Sequence, residues 1–75
     1  GMNMMERGPA GLAKLEYLDG EFRILIPGAY VLCAVSGRQI PLDDLRYWNV
    51  DRQEAYAGHA EAIARFKDLR AKGEA

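Results

Sequence analysis

Seventy-five residues with ten basic and eleven acidic side chains, net charge −1, describe one small domain and exclude both a nucleic-acid polyelectrolyte and an acidic tail. A single cysteine excludes an intrachain disulfide and cannot complete a metal site alone. The longest apolar run falls far short of the roughly 18 residues of a membrane span, and Met2 to Pro9 lack the apolar core of a secretory signal.

The expectation is a cytoplasmic protein with a reduced thiol, no cofactor and no membrane contact. Gly1 before Met2 reads as a remnant of tag removal and is left out of the functional reading. A chain this short buries only about 60% of the surface it exposes when unfolded. Its core is therefore modest, or it is completed by self-association.

Residues 1–11 have no periodic pattern and are expected to form a flexible arm, with one domain over 12–73. Leu15 and Tyr17 alternate with Glu16; Phe22, Ile24 and Ile26 alternate with Glu21, Arg23 and Leu25. Asp19-Gly20 between these runs predicts a hairpin turn in which both residues take positive φ. Pro27-Gly28 predicts a type II turn with Gly28 in the left-handed region. Residues 30–35 are apolar throughout and predict a strand covered on both faces. Ser36-Gly37 turns the chain into a fourth short strand over 38–42, which Pro41 confines to an edge.

Residues 45–50 are β-prone and predict an extended piece that lays Trp48 on the core, with a single helical turn started at Asp43 or Asp44 as the competitor. A helix is predicted over 51–72, capped by Asn49 or Asp51, with Ala55, His59, Ala62, Phe66 and Leu69 on one face. Glu61 with Arg65 and Asp68 with Lys72 form acid-before-base pairs four residues apart. Gly58 then falls inside the helix, at a cost of about 1 kcal/mol relative to alanine, and Gly73 ends it.

Cys33 opens CAVSG, the spacing of a C-x-x-C-G zinc knuckle with serine in place of the second cysteine. Structural zinc takes four sulfur or imidazole ligands, and only His59 remains to be added. A knuckle shape without metal fits the residues. As a nucleophile Cys33 needs a lowered pKa and a neighbouring base. Its place between Leu32 and Ala34 instead suggests a small buried hydrophobe. His59 is the one conventional base near neutral pH, but its position between Ala55 and Phe66 favours a packed ring. Asp43 and Asp44 read as turn formers.

Arg38, Arg46, Arg52, Tyr47, Trp48 and Tyr56 fall within nineteen residues. This mixture suits stacking on single-stranded nucleic acid and equally a protein surface, where Trp, Tyr and Arg dominate binding energy. The net charge tilts the choice toward protein. The blander alternative places Trp48 and Tyr56 in the core under the helix, with the arginines at its rim.

The stretch CAVSGRQIPLDDLRYWNVDRQEAYA resembles the signature of a small bacterial family of uncharacterised proteins, domain of unknown function 2093. The preceding LEYLDGEFRILIPGAYVLCAV extends the likeness over residues 15–57. The resemblance implies no activity, cofactor or catalytic residue.

The resulting expectation is an α+β domain: a small antiparallel sheet of three or four short strands with one C-terminal helix packed on it. Its core candidates are Phe22, Ile24, Ile26, Val31, Cys33, Ile40, Leu42, Trp48, Tyr56, Ile63, Phe66 and Leu69. The expected role is a non-catalytic, self-associating interaction module, a homo-oligomer that presents Arg38, Arg46, Tyr47 and Arg52. The alternatives are a nucleic-acid-binding knuckle that has lost its metal ligands, and a small enzyme using Cys33 or His59.

Overall fold

In a computed structural model that describes residues 10–74, the chain forms three antiparallel hairpins followed by one helix. The expected arm falls mostly outside the described residues. Strands β1 (Lys14–Leu18) and β2 (Glu21–Ile26) form the longest hairpin; β3 (Tyr30–Leu32) pairs with β4 (Gln39–Pro41), and β5 (Tyr47–Asn49) with β6 (Glu54–Tyr56). Helix α1 runs over His59–Ala71. The class is α+β, with short antiparallel strands and a C-terminal helix. Among the described residues the strands number six rather than three or four and belong to three two-stranded sheets.

Local chemistry accounts for the first hairpin. Alternation buries Leu15 and Tyr17 on one face, and the turn at Asp19-Gly20 needs positive φ at Gly20 alone (+77°), not at both residues. Gly28 also departs from expectation, since it is not in the left-handed region. It is needed for space: a Cβ there would lie 2.4 Å from the Ala13 nitrogen. That close passage lets Ala13 N–H donate to Tyr30 O (2.7 Å) and Ala29 N–H to Gly11 O (2.8 Å), which joins the first two hairpins.

The third strand ends earlier than its apolar run, because the chain turns at residues 34–36 after Cys33. Cys33 instead bridges Ala55 in parallel, and Ala34 N–H donates to Ala55 O (2.8 Å). The extended reading of residues 45–50 holds, and the helical turn lies just before it rather than starting at Asp43 or Asp44. Leu42–Asp44 make a 3-10 turn, and Tyr47–Asn49 are extended.

The predicted helix loses its first two turns. Asp51 is part of a turn rather than a cap, and Glu54–Tyr56 pair with Tyr47–Asn49. Gln53 takes a positive φ of 52°, which interrupts any helix there. Gly58 precedes the helix in an extended conformation (φ −164°) instead of lying within it. Of the expected charge pairs, Lys72 reaches Asp68 (3.1 Å). Arg65 turns away from Glu61 toward Glu54 (2.8 Å) and also touches Asp68 (3.2 Å).

The core is Ala13, Leu15, Tyr17, Val31, Cys33, Ile40, Leu45 and Ala55, with Phe22, Leu42, Trp48 and Ala57 packed against it. Tyr56 and Leu69 are also buried. Four expected core residues are instead open: Ile24, Ile26, Ile63 and Phe66 are 40–55% exposed. The helix lies along the last hairpin with only Leu69 buried, so most of its apolar face has nothing to cover it among the described residues.

Candidate functional site

Trp48 is the centre of the surface nominated by the sequence. Its ring stacks on Tyr17 (centroids 6.0 Å apart) and meets Phe22 edge-on (5.8 Å). Its indole N–H donates to Leu18 O at 2.8 Å. A buried indole needs such a partner, and this one ties β5 to the first hairpin. Trp48 is thus half core, half wall.

Two grooves flank it. One, about 600 Å³, is bounded by Leu18, Gly20, Arg46, Tyr47 and Val50. The other, about 410 Å³, is bounded by Arg52, Tyr56, Phe66, Leu69 and Glu74. Trp48 and Ala62 border both. The structure therefore brings Arg46 and Tyr47 to one groove and Arg52 to its neighbour. Arg38 lines neither and lies in the turn after Cys33, where its N–H donates to Ser36 Oγ (3.3 Å).

The side chains of Arg46 and Arg52 are already engaged. Arg46 donates from Nη1 to Asp43 O (2.9 Å) and Leu45 O (3.1 Å), closing the 3-10 turn. Arg52 donates to Glu74 Oε1 (2.6 Å). Tyr47, 39% exposed, packs against the His59 ring (5.8 Å). His59 itself is exposed at the first position of the helix, not packed between Ala55 and Phe66.

Sequence inspection passed over the network between helix and hairpin. Glu54 accepts from Tyr56 O–H (2.8 Å) and from Arg65 Nε (2.8 Å). Desolvation alone would raise the Glu54 carboxyl, but the bonds from Arg65 and Tyr56 outweigh it and hold the group below its ordinary value. Burial, followed by the bond to Glu54, pushes the Tyr56 phenol up to about 12, and burial pushes Tyr17 the same way.

The signs then follow by linkage. The Glu54 contribution is present above its unfolded value near 4.3 and is lost as pH falls through the lower folded value. The Tyr56 contribution is complete below about 10 and is lost as pH rises through about 12. We expect chemical denaturation across pH 9–12 to show stability falling on the alkaline limb by on the order of 2 kcal/mol. Tyr56→Phe should flatten that limb; an unchanged limb in the variant would remove Tyr56 as its cause.

Cys33 is 3% exposed, as expected of a small hydrophobe, yet its surroundings are polar. Val35 and Ser36 N–H groups both donate to Sγ at 3.4 Å. Gly37 N–H donates to Cys33 O (3.0 Å), and Cys33 N–H to Arg38 O (2.9 Å). Gly37, at φ +76°, supplies the left-handed step that closes the loop. The loop wraps its backbone donors around a single sulfur. Burial alone would push the thiol up; the Ser36 hydroxyl and the backbone N–H groups of Ser36, Ala57 and Val35 outweigh that and hold it below its ordinary value. Among the described residues, no group of three or more His, Cys, Asp or Glu side chains is placed to hold a metal ion.

The loop after Cys33, the 3-10 turn, the Trp48 hairpin and the first half of the helix lie within one stretch. The family of uncharacterised proteins conserved in bacteria, DUF2093, matches this chain over residues 24–65. The chain belongs to that family. The DUF2093 match takes in Cys33, Arg38, Arg46, Tyr47, Trp48, Arg52, Gln53 and the Glu54–Arg65 pair, and leaves out β1 and the end of the helix. No curated protein and no solved structure matches the chain. Among the described residues, no helix is long and apolar enough to cross a membrane.

Proposed function

We propose that this DUF2093 protein is a non-catalytic interaction module that associates with itself, and that the grooves beside Trp48 receive a protein partner. One observation carries this reading. Among the described residues, ten large apolar side chains are exposed, from Leu12 to Phe66, and no large side chain is completely buried. A core this thin gains from a partner chain, and open apolar surface of this extent on a small chain is characteristic of contact sites. Tyr47 and Arg46 at the rim of an apolar groove are residue types that concentrate binding energy.

The nucleic-acid reading has less support, because Arg52 is paired with Glu74, Arg46 is bonded to two backbone carbonyls, and Arg38 lies apart from both grooves. Sedimentation of the full chain over a concentration series tests self-association. A mass that rises with concentration is expected, and a monomer up to the highest soluble concentration would remove that half of the proposal. The partner surface is tested separately with a folded Arg46→Ala, Tyr47→Ala, Arg52→Ala variant. Loss of partner capture is expected, and undiminished capture would clear those residues.

A further inference from the structure

We infer that the partner in self-association is a second copy of this chain, joined antiparallel along the free edge of β2. The inference rests on the self-associating reading above and names its interface.

The backbone shows which edge is free. Tyr17 N–H donates to Gln53 Oε1 (2.9 Å), and Gln53 Nε2 donates to Tyr17 O (2.8 Å). Both polar groups of Tyr17 thus face away from β2, so Tyr17–Phe22 is a non-hydrogen-bonded pair. Phe22 must then direct its own N–H and C=O away from β1. The same holds two residues on for Ile24, opposite Leu15. Beyond β2 no further strand follows among the described residues, since the sheet has only two.

One face of that edge is apolar: it carries Phe22 and Ile24, and Ile24 is 52% exposed. Natural edges are usually guarded by charge or proline; here Glu21 and Arg23 lie on the opposite face, and Arg23 is paired with Glu16 of its own chain. The register shift near Lys14 and Leu15 limits the flat, pairable part to residues 21–24.

Self-complementarity selects a second copy. Antiparallel pairing of a strand with itself generates a two-fold axis without further adjustment. Placing Phe22 opposite the second copy's Ile24, and the reverse, engages all four free backbone groups on each side. The apolar face of Leu15, Tyr17, Phe22 and Ile24 then continues across the axis. On the other face the two Arg23 side chains meet at the axis. Each is already paired with Glu16 in its own chain, so the row across the joined sheet reads acid, base, base, acid with no net charge. Pairing of four residues per strand buries only a few hundred Å², below the roughly 1,200 Å² of a standard interface, so association should require high protein concentration.

Analytical ultracentrifugation of the full chain, carried to millimolar concentration, should find dimer. Ile24→Lys, at a half-exposed position, should weaken dimerisation at least tenfold without loss of fold by circular dichroism. Leu32→Ala, at an exposed position away from β2, should leave it unchanged. Arg23→Cys places two thiols at a non-hydrogen-bonded pair with Cα atoms about 4.5 Å apart, within disulfide range. Treatment with oxidised glutathione should therefore give a covalent dimer, whereas Leu32→Cys should not. A dimer that persists in Ile24→Lys and does not cross-link through Arg23→Cys overturns the edge while self-association stands. A monomeric wild-type chain overturns both.

Discussion

Gly28→Ala should be the most damaging small substitution in the chain, costing about 3 kcal/mol or more. A Cβ at this position meets Ala13 N at 2.4 Å, Ala13 Cα at 2.6 Å and Leu12 C at 2.6 Å. All three are backbone atoms, so no rotamer change relieves the overlap. Overpacking typically costs 1–3 kcal/mol even where side chains can yield. Here the strands must separate, and the bonds from Ala13 N–H to Tyr30 O and from Leu42 N–H to Ala29 O lie directly beside the gap. For a domain of this size the thermal midpoint should fall by roughly 10–20 °C.

Gly20→Ala is the control that separates space from conformation. Nothing lies within 4 Å of a Cβ there, but φ is +77°, so the cost should be about 1–2 kcal/mol, the left-handed penalty alone. Thermal and urea unfolding followed by circular dichroism measures both variants. A Gly28→Ala protein within 1 kcal/mol of wild type would mean that the two hairpins can move apart freely.

Gln53→Ala is the second large effect, about 2–3 kcal/mol. The amide of Gln53 acts as a surrogate strand for β1: it accepts from Tyr17 N–H and donates to Tyr17 O, and it also donates to Val50 O at 2.7 Å. Truncation strands two polar groups at a partly buried position, each costing about 1–3 kcal/mol before water re-enters. The residue also bears a left-handed backbone, φ 52°. Gln53→Gly removes the same bonds but relieves that strain, so it should be about 1 kcal/mol less destabilising than Gln53→Ala. Gln53→Glu keeps the acceptor and loses both donations from Nε2. Urea titration of the three variants gives the ranking, and equal values for Ala and Gly would show that the left-handed backbone stores no strain.

Much of the local structure was legible because it is written in short-range chemistry. The alternation of Leu15 and Tyr17, the Asp19-Gly20 turn, the extended Tyr47–Asn49 segment and the Asp68–Lys72 pair depend on neighbours a few residues away. The turn after Cys33 was visible in Ser36-Gly37, but the lowered thiol depends in part on an N–H from Ala57, supplied by a distant segment. The beginning of the helix was misread for the same kind of reason. Residues 51–57 carry good helix formers at helical spacing, yet Gln53 is held to Tyr17 across 36 positions and Glu54 to Arg65 across 11. Two partners outside the segment override a propensity worth a few tenths of a kcal/mol per residue.

The candidate surface divides along similar lines. Residue type singled out Arg46, Tyr47 and Arg52, and tertiary packing then placed them in two adjoining grooves around Trp48, with Arg38 elsewhere. Residue type also assigned Ile24, Ile26, Ile63 and Phe66 to the core, because apolar periodicity says which face is apolar but not whether anything covers it.

By itself, then, the sequence determined the class of fold, the Asp19-Gly20 turn and the stretch around Trp48, which follow from composition, periodicity and backbone preference, and the family resemblance, which follows from the motif running from Cys33 to Ala57. Only the tertiary structure decided that the strands form three separate hairpins, that Gly28 serves close approach rather than a left-handed turn, and that β2 keeps an open edge. Each of those depends on which atoms meet across long separations in the chain, and no local preference encodes that.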